Sequence, residues 1–259
     1  MLIVSKNLPK NRFKPKISKS SHKEIEQCER YITECFRDLM RSDIFIRNIF
    51  DSLFNDGFEG VIFGGWVRDR IIELHTGRKI KSKDIDFVCK GAKPLSEYIQ
   101  GKKLVRENMF GGYFIDYPTM HIDIWELDKT YLVQKNKLDK NFKSLLLTAD
   151  YTTNAVIYFP EQKNCKSFLF ENGCITSIKR KELDFLADEI AFPLVQAARA
   201  VIFSSRFGFT LSKTIIEFIQ DVCKSDNEIR IVRKGIDDFC HEDFKPNAKK
   251  IFKKIIEKK

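Results

Sequence analysis

"FGGWVRDRIIELHTGRKIKSKDIDFV", residues 63–88, decides the fold. It joins a paired glycine, a helical stretch and an Asp-x-Asp. The residues that lead into it, "EGVIFGG" (59–65), are β-rich and end in Gly64-Gly65, which predicts a strand feeding a turn. "WVRDRIIEL" then has helical spacing. "DIDFVC" alternates polar with apolar residues and reads as a half-buried strand. Residues two apart on a strand share a side, so Asp84 and Asp86 point together while Ile85 and Phe87 point into the core.

Both ends of this strand–helix–strand unit carry chemistry. Gly64 and Gly65 have no Cβ and let the backbone approach a ligand closely. The helix behind them offers unpaired N–H groups and a partial positive charge, a natural triphosphate seat. Arg68, in its first turn, could add a bidentate phosphate contact. A Gly-Gly turn alone is more often structural, so the aspartates must carry the reading. Two carboxylates on one face repel unless a cation joins them. Magnesium, hard and oxygen-seeking, is the expected ion. "HIDIWEL" (121–127) is a second alternating strand, and its Asp123 is the candidate third carboxylate of a two-metal site. Asp116 and Glu126 are nearby rivals. A surface strand end is the plainer reading of Asp84 and Asp86, and a solvated edge-strand acid that of Asp123.

The rest of the chain gives this unit its setting. Its 259 residues suffice for one large domain or two small ones with a real core. The 23 phenylalanines are scattered, as core packing requires. A net charge of +10 favours polyanions, nucleic acid above all. Seven cysteines include no Cys-x-x-Cys pair, and no histidine sits at zinc-finger spacing; free thiols in a reducing cytosol are expected. "MLIVSKNLPK" cannot be a signal peptide, and no run reaches membrane-span length, so a cytoplasmic protein without membrane contact is expected.

The chain divides into four segments. Residues 1–20 form a basic arm without an acid. Residues 21–56 are a helical lead-in, opened by a capping box at Ser21 and Glu24 and broken at Asp56-Gly57. Residues 57–180 hold the mixed sheet, with "TNAVIYF" (153–159) a further strand. From 181 to 259 the pattern reads as helical. It runs through "ELDFLADEI", then "PLVQAARAVIFSSRF" opened by Pro193, then "SKTIIEFIQDVC". It ends in "NAKKIFKKIIEKK", with Ile251, Phe252, Ile255 and Ile256 on one face and lysines on the other.

"GGWVRD" followed by "KDIDFV" resembles the signature of the class II tRNA nucleotidyltransferases, the bacterial and eukaryotic CCA-adding enzymes and bacterial poly(A) polymerases of the DNA polymerase β-like superfamily. "DYTTNAVIY" (150–158) looks like that family's Asp-Phe-Thr-Ile-Asn-Ala segment, and "RAVIFSSRFGF" (199–209) like its arginine helix. The order and rough spacing agree over about residues 60 to 210. The resemblance implies an α+β fold: a polymerase β-like nucleotidyltransferase head, with a small mixed sheet flanked by helices, followed by a helical neck and tail. It implies that Gly64, Gly65 and Arg68 hold a nucleoside triphosphate and that Asp84 and Asp86 bind two magnesium ions, manganese being the alternative. Asp123 would be the third ligand. Asp150 and Asn154 fall at positions that lie by the ribose of the incoming nucleotide, and each has a local capping role as its rival reading. Arg199 could serve phosphate or a salt bridge.

The departures are specific. The family's base-selecting Asp and Arg fall on Pro193 and Gln196, so a charged pair cannot read the base edge here. Its paired arginines become Thr148-Ala149, and a helical arginine becomes Ile202. The family's helical body and tail, which grip tRNA, are longer than the segment after Phe209. RNA gripping is therefore expected from the basic arm and from Lys249, Lys250, Lys253 and Lys254. The activity implied is transfer of NMP from an NTP to an RNA 3′-hydroxyl, tRNA first, without a template. Small relatives also act as toxins or defence factors on tRNA. NMP transfer to a protein or small-molecule hydroxyl is one alternative, and a non-catalytic nucleotide- or RNA-binding module another.

Overall fold

The computed structural model describes residues 19–99, 105–107, 111–135, 137–162, 165–187 and 190–258. Residues 1–18 of the predicted basic arm lie outside them. The chain groups into two compact units, one of residues 19–149 and 154–175, the other of 150–153 with the residues from 176 onward.

The first unit opens with α1 (His22–Ser42) and α2 (Ile44–Asn55). The expected capping box is present: Ser21 Oγ accepts from Glu24 N–H, and Glu24 Oε2 accepts from Ser21 N–H at 2.9 Å. Asp43 caps α2 by accepting from the N–H groups of Phe45 and Ile46. Gly57, at φ 83°, turns the chain into β1 (Glu59–Phe63). Then come α3 (Gly65–Thr76), β2 (Asp84–Lys90), α4 (Leu95–Ile99), β3 (Val105–Glu107), β4 (Tyr113–Ile115), β5 (His121–Glu126), α5 (Tyr131–Lys135), β6 (Val156–Phe159) and β7 (Phe168–Glu171). The helix α6 (Cys174–Arg180) runs across the boundary of the two units.

The strands form one mixed sheet in the order β3-β4-β5-β2-β1-β6-β7. β2 and β5 run parallel and the other pairs antiparallel. Strand alternation gives the sheet two distinct faces. Ile62, Ile85, Phe87, Ile122, Ile124 and Tyr158, all fully buried, belong to one of them. On this side Phe36 of α1 meets Phe50, Trp66 and Tyr158 edge-on, and Phe50 meets Phe87. The other face is apolar over only part of its area, where Val61, Val88 and Ile157 pack under Leu127, Val133, Phe142, Leu145 and Leu146. Asp84, Asp86 and Asp123 lie on this second face, in register with Val88 and Trp125 along their strands.

The second unit contains α7 (Pro193–Phe207), α8 (Lys213–Val222), α9 (Asp226–Phe239) and α10 (Lys245–Glu257), with a parallel pair of short strands, β8 (Glu182–Leu183) and β9 (Thr210–Leu211). Pro193 starts α7 as expected. "ELDFLADEI" is not the predicted helix. Glu182 and Leu183 form β8, and Phe185 bridges to Tyr151. The alternation in that segment is two-fold: Leu183 and Phe185 are buried and Glu182 is exposed, and Asp184 Oδ1 accepts from Ser212 Oγ at 2.7 Å. Gly235 lets α9 approach α7, since a Cβ there would stand 3.2 Å from Ala198 Cβ. No helix among the described residues is long and apolar enough to cross a membrane. All seven cysteines are free of disulfides.

Candidate nucleotide and metal site

The turn after β1 is built around Gly64. Its φ of 68° with ψ of −109° suits glycine alone among the common residues. Gly64 N–H donates to Val156 O at 2.9 Å, and its carbonyl accepts from Arg68 N–H. Gly65 is the first residue of α3. A Cβ placed on it would lie 3.9 Å from Arg68 Nη2 and 4.0 Å from Asp86 Oδ2. Turn, arginine and aspartate therefore meet at one point. The antiparallel register that opposes Phe63 to Asp86 delivers Gly64 to this place.

The carboxylates come from neighbouring strands. Asp86 is the direct partner of Asp123 across the β2–β5 pair, and Asp84 that of His121. Asp84 is exposed, whereas Asp86 and Asp123 are half-buried. Burial is the main cause that raises the Asp123 carboxyl above the usual carboxylate range; the Asp84 charge raises it further, and His121 opposes both. A divalent cation would relieve this crowding of like charge. Among the described residues no three His, Cys, Asp or Glu side chains already form a closed metal cage. Magnesium does not require one, because it binds through one or two carboxylates together with substrate phosphates. The donor set fits that ion. The rivals are engaged elsewhere: Asp116 Oδ1 pairs with His121 Nδ1 at 2.9 Å, while Glu126 pairs with Lys129 and accepts from Leu95 N–H.

Arg68 is engaged within the protein. It is only 5% exposed. Its Nε and Nη2 donate to Asp69 Oδ1 at 2.9 and 2.7 Å, and its Nη1 donates to Asn154 Oδ1 at 2.7 Å. Asp69 Oδ2 accepts from Ser82 Oγ at 2.9 Å. One turn on, Glu73 Oε1 accepts from Ile80 N–H at 2.6 Å, and Arg70 Nη2 donates to Ile80 O and Ser82 Oγ. Thus α3 fixes the loop that delivers Asp84. Sequence reasoning missed Asp69, Arg70, Glu73 and Ser82. The available signal was the density of charge inside an otherwise apolar helix.

The remaining candidates fall in the second unit. Asp150 Oδ2 pairs with Arg199 Nη1 at 2.8 Å, and Asp150 Oδ1 accepts from Tyr151 N–H. Arg199 also stands over the Phe203 ring. Gln196 is buried beside them on α7, with its carbonyl accepting from Tyr151 Oη. On α10, Lys249 pairs with Asp237 and Lys253 with Glu257, while Lys250 and Lys254 are exposed. The structure thus groups Gly64, Gly65, Arg68, Asp86 and Asn154, sets Asp84 and Asp123 beside them on the sheet, and joins Asp150 to Arg199.

No family model matches the chain, and no curated protein matches it. Solved structures do. A CCA-adding enzyme with CTP superposes with a TM-score of 0.60 at 21% identity, covering 85% of this chain and 54% of that one. The Thermotoga maritima CCA-adding enzyme complexed with tRNA gives 0.56 at 19%, covering 82% and 51%. A tRNA nucleotidyltransferase complexed with a primer tRNA and an incoming ATP analogue gives 0.53 at 19%, covering 76% and 57%. The chain spans about half the length of these structures. At such identity the likeness establishes the fold: the protein folds as the CCA-adding enzymes do over the part they share.

Proposed function

We propose that this protein is a metal-dependent nucleotidyltransferase that moves NMP from an NTP to an RNA 3′-hydroxyl, with tRNA as the acceptor. The observation that carries the proposal is the approach of Asp86 to the Gly64-Gly65 turn, with Asp123 as its direct strand partner. The solved structures of the same fold were obtained with CTP, ATP or tRNA. The net charge of +10 suits a polyanionic acceptor.

In this reading the glycine turn and the start of α3 hold the triphosphate through backbone N–H groups. Asp84, Asp86 and Asp123 would hold the magnesium ions, which when bound would supply neutralisation of the charge that develops in phosphoryl transfer. The RNA 3′-hydroxyl oxygen forms a bond to the α-phosphorus as its proton passes to the carboxylate of Asp86 or Asp123, the bond from that phosphorus to the α–β bridging oxygen breaks, and pyrophosphate departs. Arg68 keeps the turn and Asn154 in place.

The test is incubation with each α-labelled NTP, magnesium and tRNA, and separately with a protein extract. Label on tRNA is expected. Asp84→Ala and Asp86→Ala should each lower incorporation by more than about a hundredfold, the scale of several kcal/mol of lost charge stabilisation. Label on protein would move the acceptor to a protein hydroxyl. Absence of label anywhere would leave a binding module.

A further inference from the structure

The loop between α3 and β2 presents Arg78, Lys79, Lys81 and Lys83 to solvent, immediately before Asp84. We propose that this loop grips the phosphodiester backbone of the acceptor RNA near its 3′ end, an inference that rests on the nucleotidyltransfer reading above.

The loop is held in place from beneath. Ile80 and Ser82 turn inward and the cations alternate outward. Asp69 and Glu73, 2% and 4% exposed, bind Ser82 Oγ and Ile80 N–H, and Arg70 binds both positions as well. Burying ionic groups is costly, and the anchorage that delivers Asp84 also holds the backbone of this lysine loop. The anchorage fixes where the lysine stems start.

That place is informative. Lys83 O accepts from His121 N–H at 2.9 Å, so the last residue of the loop is already tied to β5. The glycine turn lies at the end of β1, on the opposite flank of β2. In-line phosphoryl transfer places attacking and leaving oxygens on opposite sides of the phosphorus. With the triphosphate seated at the glycine turn, the strand bearing the attacking hydroxyl comes over the β5 side, the strand to which the Lys83 backbone is bonded. Lys79 donates to Tyr31 Oη at 3.4 Å and lies over its ring. Lysine ammonium groups are point charges that bind backbone phosphate without reading bases. The loop would therefore position the acceptor, not choose it.

The deciding variant is Lys81→Ala/Lys83→Ala in the full chain. Binding of fluorescein-labelled tRNA is measured over a range of KCl concentrations, alongside ATP binding with magnesium and the KM and kcat for labelling of tRNA. The expected result is a roughly tenfold loss of tRNA affinity, with a log–log salt slope shallower by about 1.4 to 1.8, the value for two lost phosphate contacts. ATP affinity, kcat at saturating tRNA and melting temperature should stay at wild-type values. Lys81→Arg/Lys83→Arg should restore tRNA binding. Wild-type tRNA affinity and slope in the alanine variant, with wild-type protein labelling tRNA, would overturn the loop's role alone. An ATP affinity that falls as far as the tRNA affinity would assign the loop to the triphosphate instead. Failure of the wild-type protein to bind or label any RNA would overturn both this inference and the parent reading.

Discussion

Gly64 and Gly65 adjoin in sequence yet should fail differently when a methyl group is added. Gly64 sits at positive φ, where an L side chain meets the backbone. Gly64→Ala should therefore cost about 1 to 2 kcal/mol of stability and also displace the turn. Gly65 has ordinary room: the nearest atoms to an added Cβ are 3.9 and 4.0 Å away. Gly65→Ala should leave the urea midpoint near wild type. It should weaken ATP binding, because the methyl group occupies the side from which a phosphate would approach. Parallel urea titrations and ATP titrations of the two variants check this; equal loss of ATP affinity at equal loss of stability would mean that Gly65 has no ligand contact. The glycines, Asp84, Asp86 and Asp123 were legible in the sequence because backbone approach and two-residue periodicity are local properties. The role of Arg68 was only half legible. Its partners Asp69 and Asn154 are separated by most of the sheet in sequence, and nothing local shows that a guanidinium will be buried between them.

At the scale of the element, α3 matters more than its propensity suggests. It carries Arg68, Asp69, Arg70 and Glu73 within two turns and uses them to fix the incoming turn and the outgoing loop. Asp69→Ala would take from the buried Arg68 guanidinium the carboxylate that accepts from its Nε and Nη2. A loss of about 3 to 5 kcal/mol is expected, the usual result of removing one member of a buried pair. Thermal or urea unfolding measures it, and a loss below about 1 kcal/mol would mean that water reaches Arg68 freely. The helix α9 offers a gentler test with a definite sign. Ser225 and Glu228 form a capping box, and Glu228 accepts from the N–H groups of Ser225 and Lys224. These hydrogen bonds, Ser225 first, hold its carboxyl below the ordinary value of 4.5 in the folded protein. A depressed folded value means stability that is present above the unfolded value and lost as pH falls through the folded one. Glu228→Gln should thus be less stable than wild type at pH 7, by only a few tenths of a kcal/mol (about 0.3) because solvent screens the carboxyl. The gap should close as the pH is lowered below 4.5. The segment at 182–185 shows where element reading fails. Its leucine, phenylalanine and acids suit either period, and Ser212 and Tyr151, both distant in sequence, select the extended form.

For the whole molecule the governing quantity is the surplus of cations, +10 over 259 residues, and how it is distributed. The surplus was legible from composition; which cations remain available was not, because ion pairing depends on the packing of helices. On α10 the packing divides the four lysines. Lys249 and Lys253 face Asp237 and Glu257, while Lys250 and Lys254, one turn apart, are exposed. Removing the helix cannot test its role in RNA binding, since Ala248, Phe252 and Ile255 are buried in the second unit and their loss would open its core. Point substitution avoids this. Lys250→Ala/Lys254→Ala should leave stability within about 0.5 kcal/mol of wild type, as exposed positions allow. If α10 touches RNA, tRNA affinity should fall and the slope of log K against log salt should become shallower by up to about 1.8. Lys249→Ala/Lys253→Ala should change that slope less, because each of these ammonium groups already has a carboxylate beside it. Identical salt slopes for wild type and the Lys250/Lys254 variant would remove α10 from the RNA-binding surface and leave its lysines as a solvated helix face.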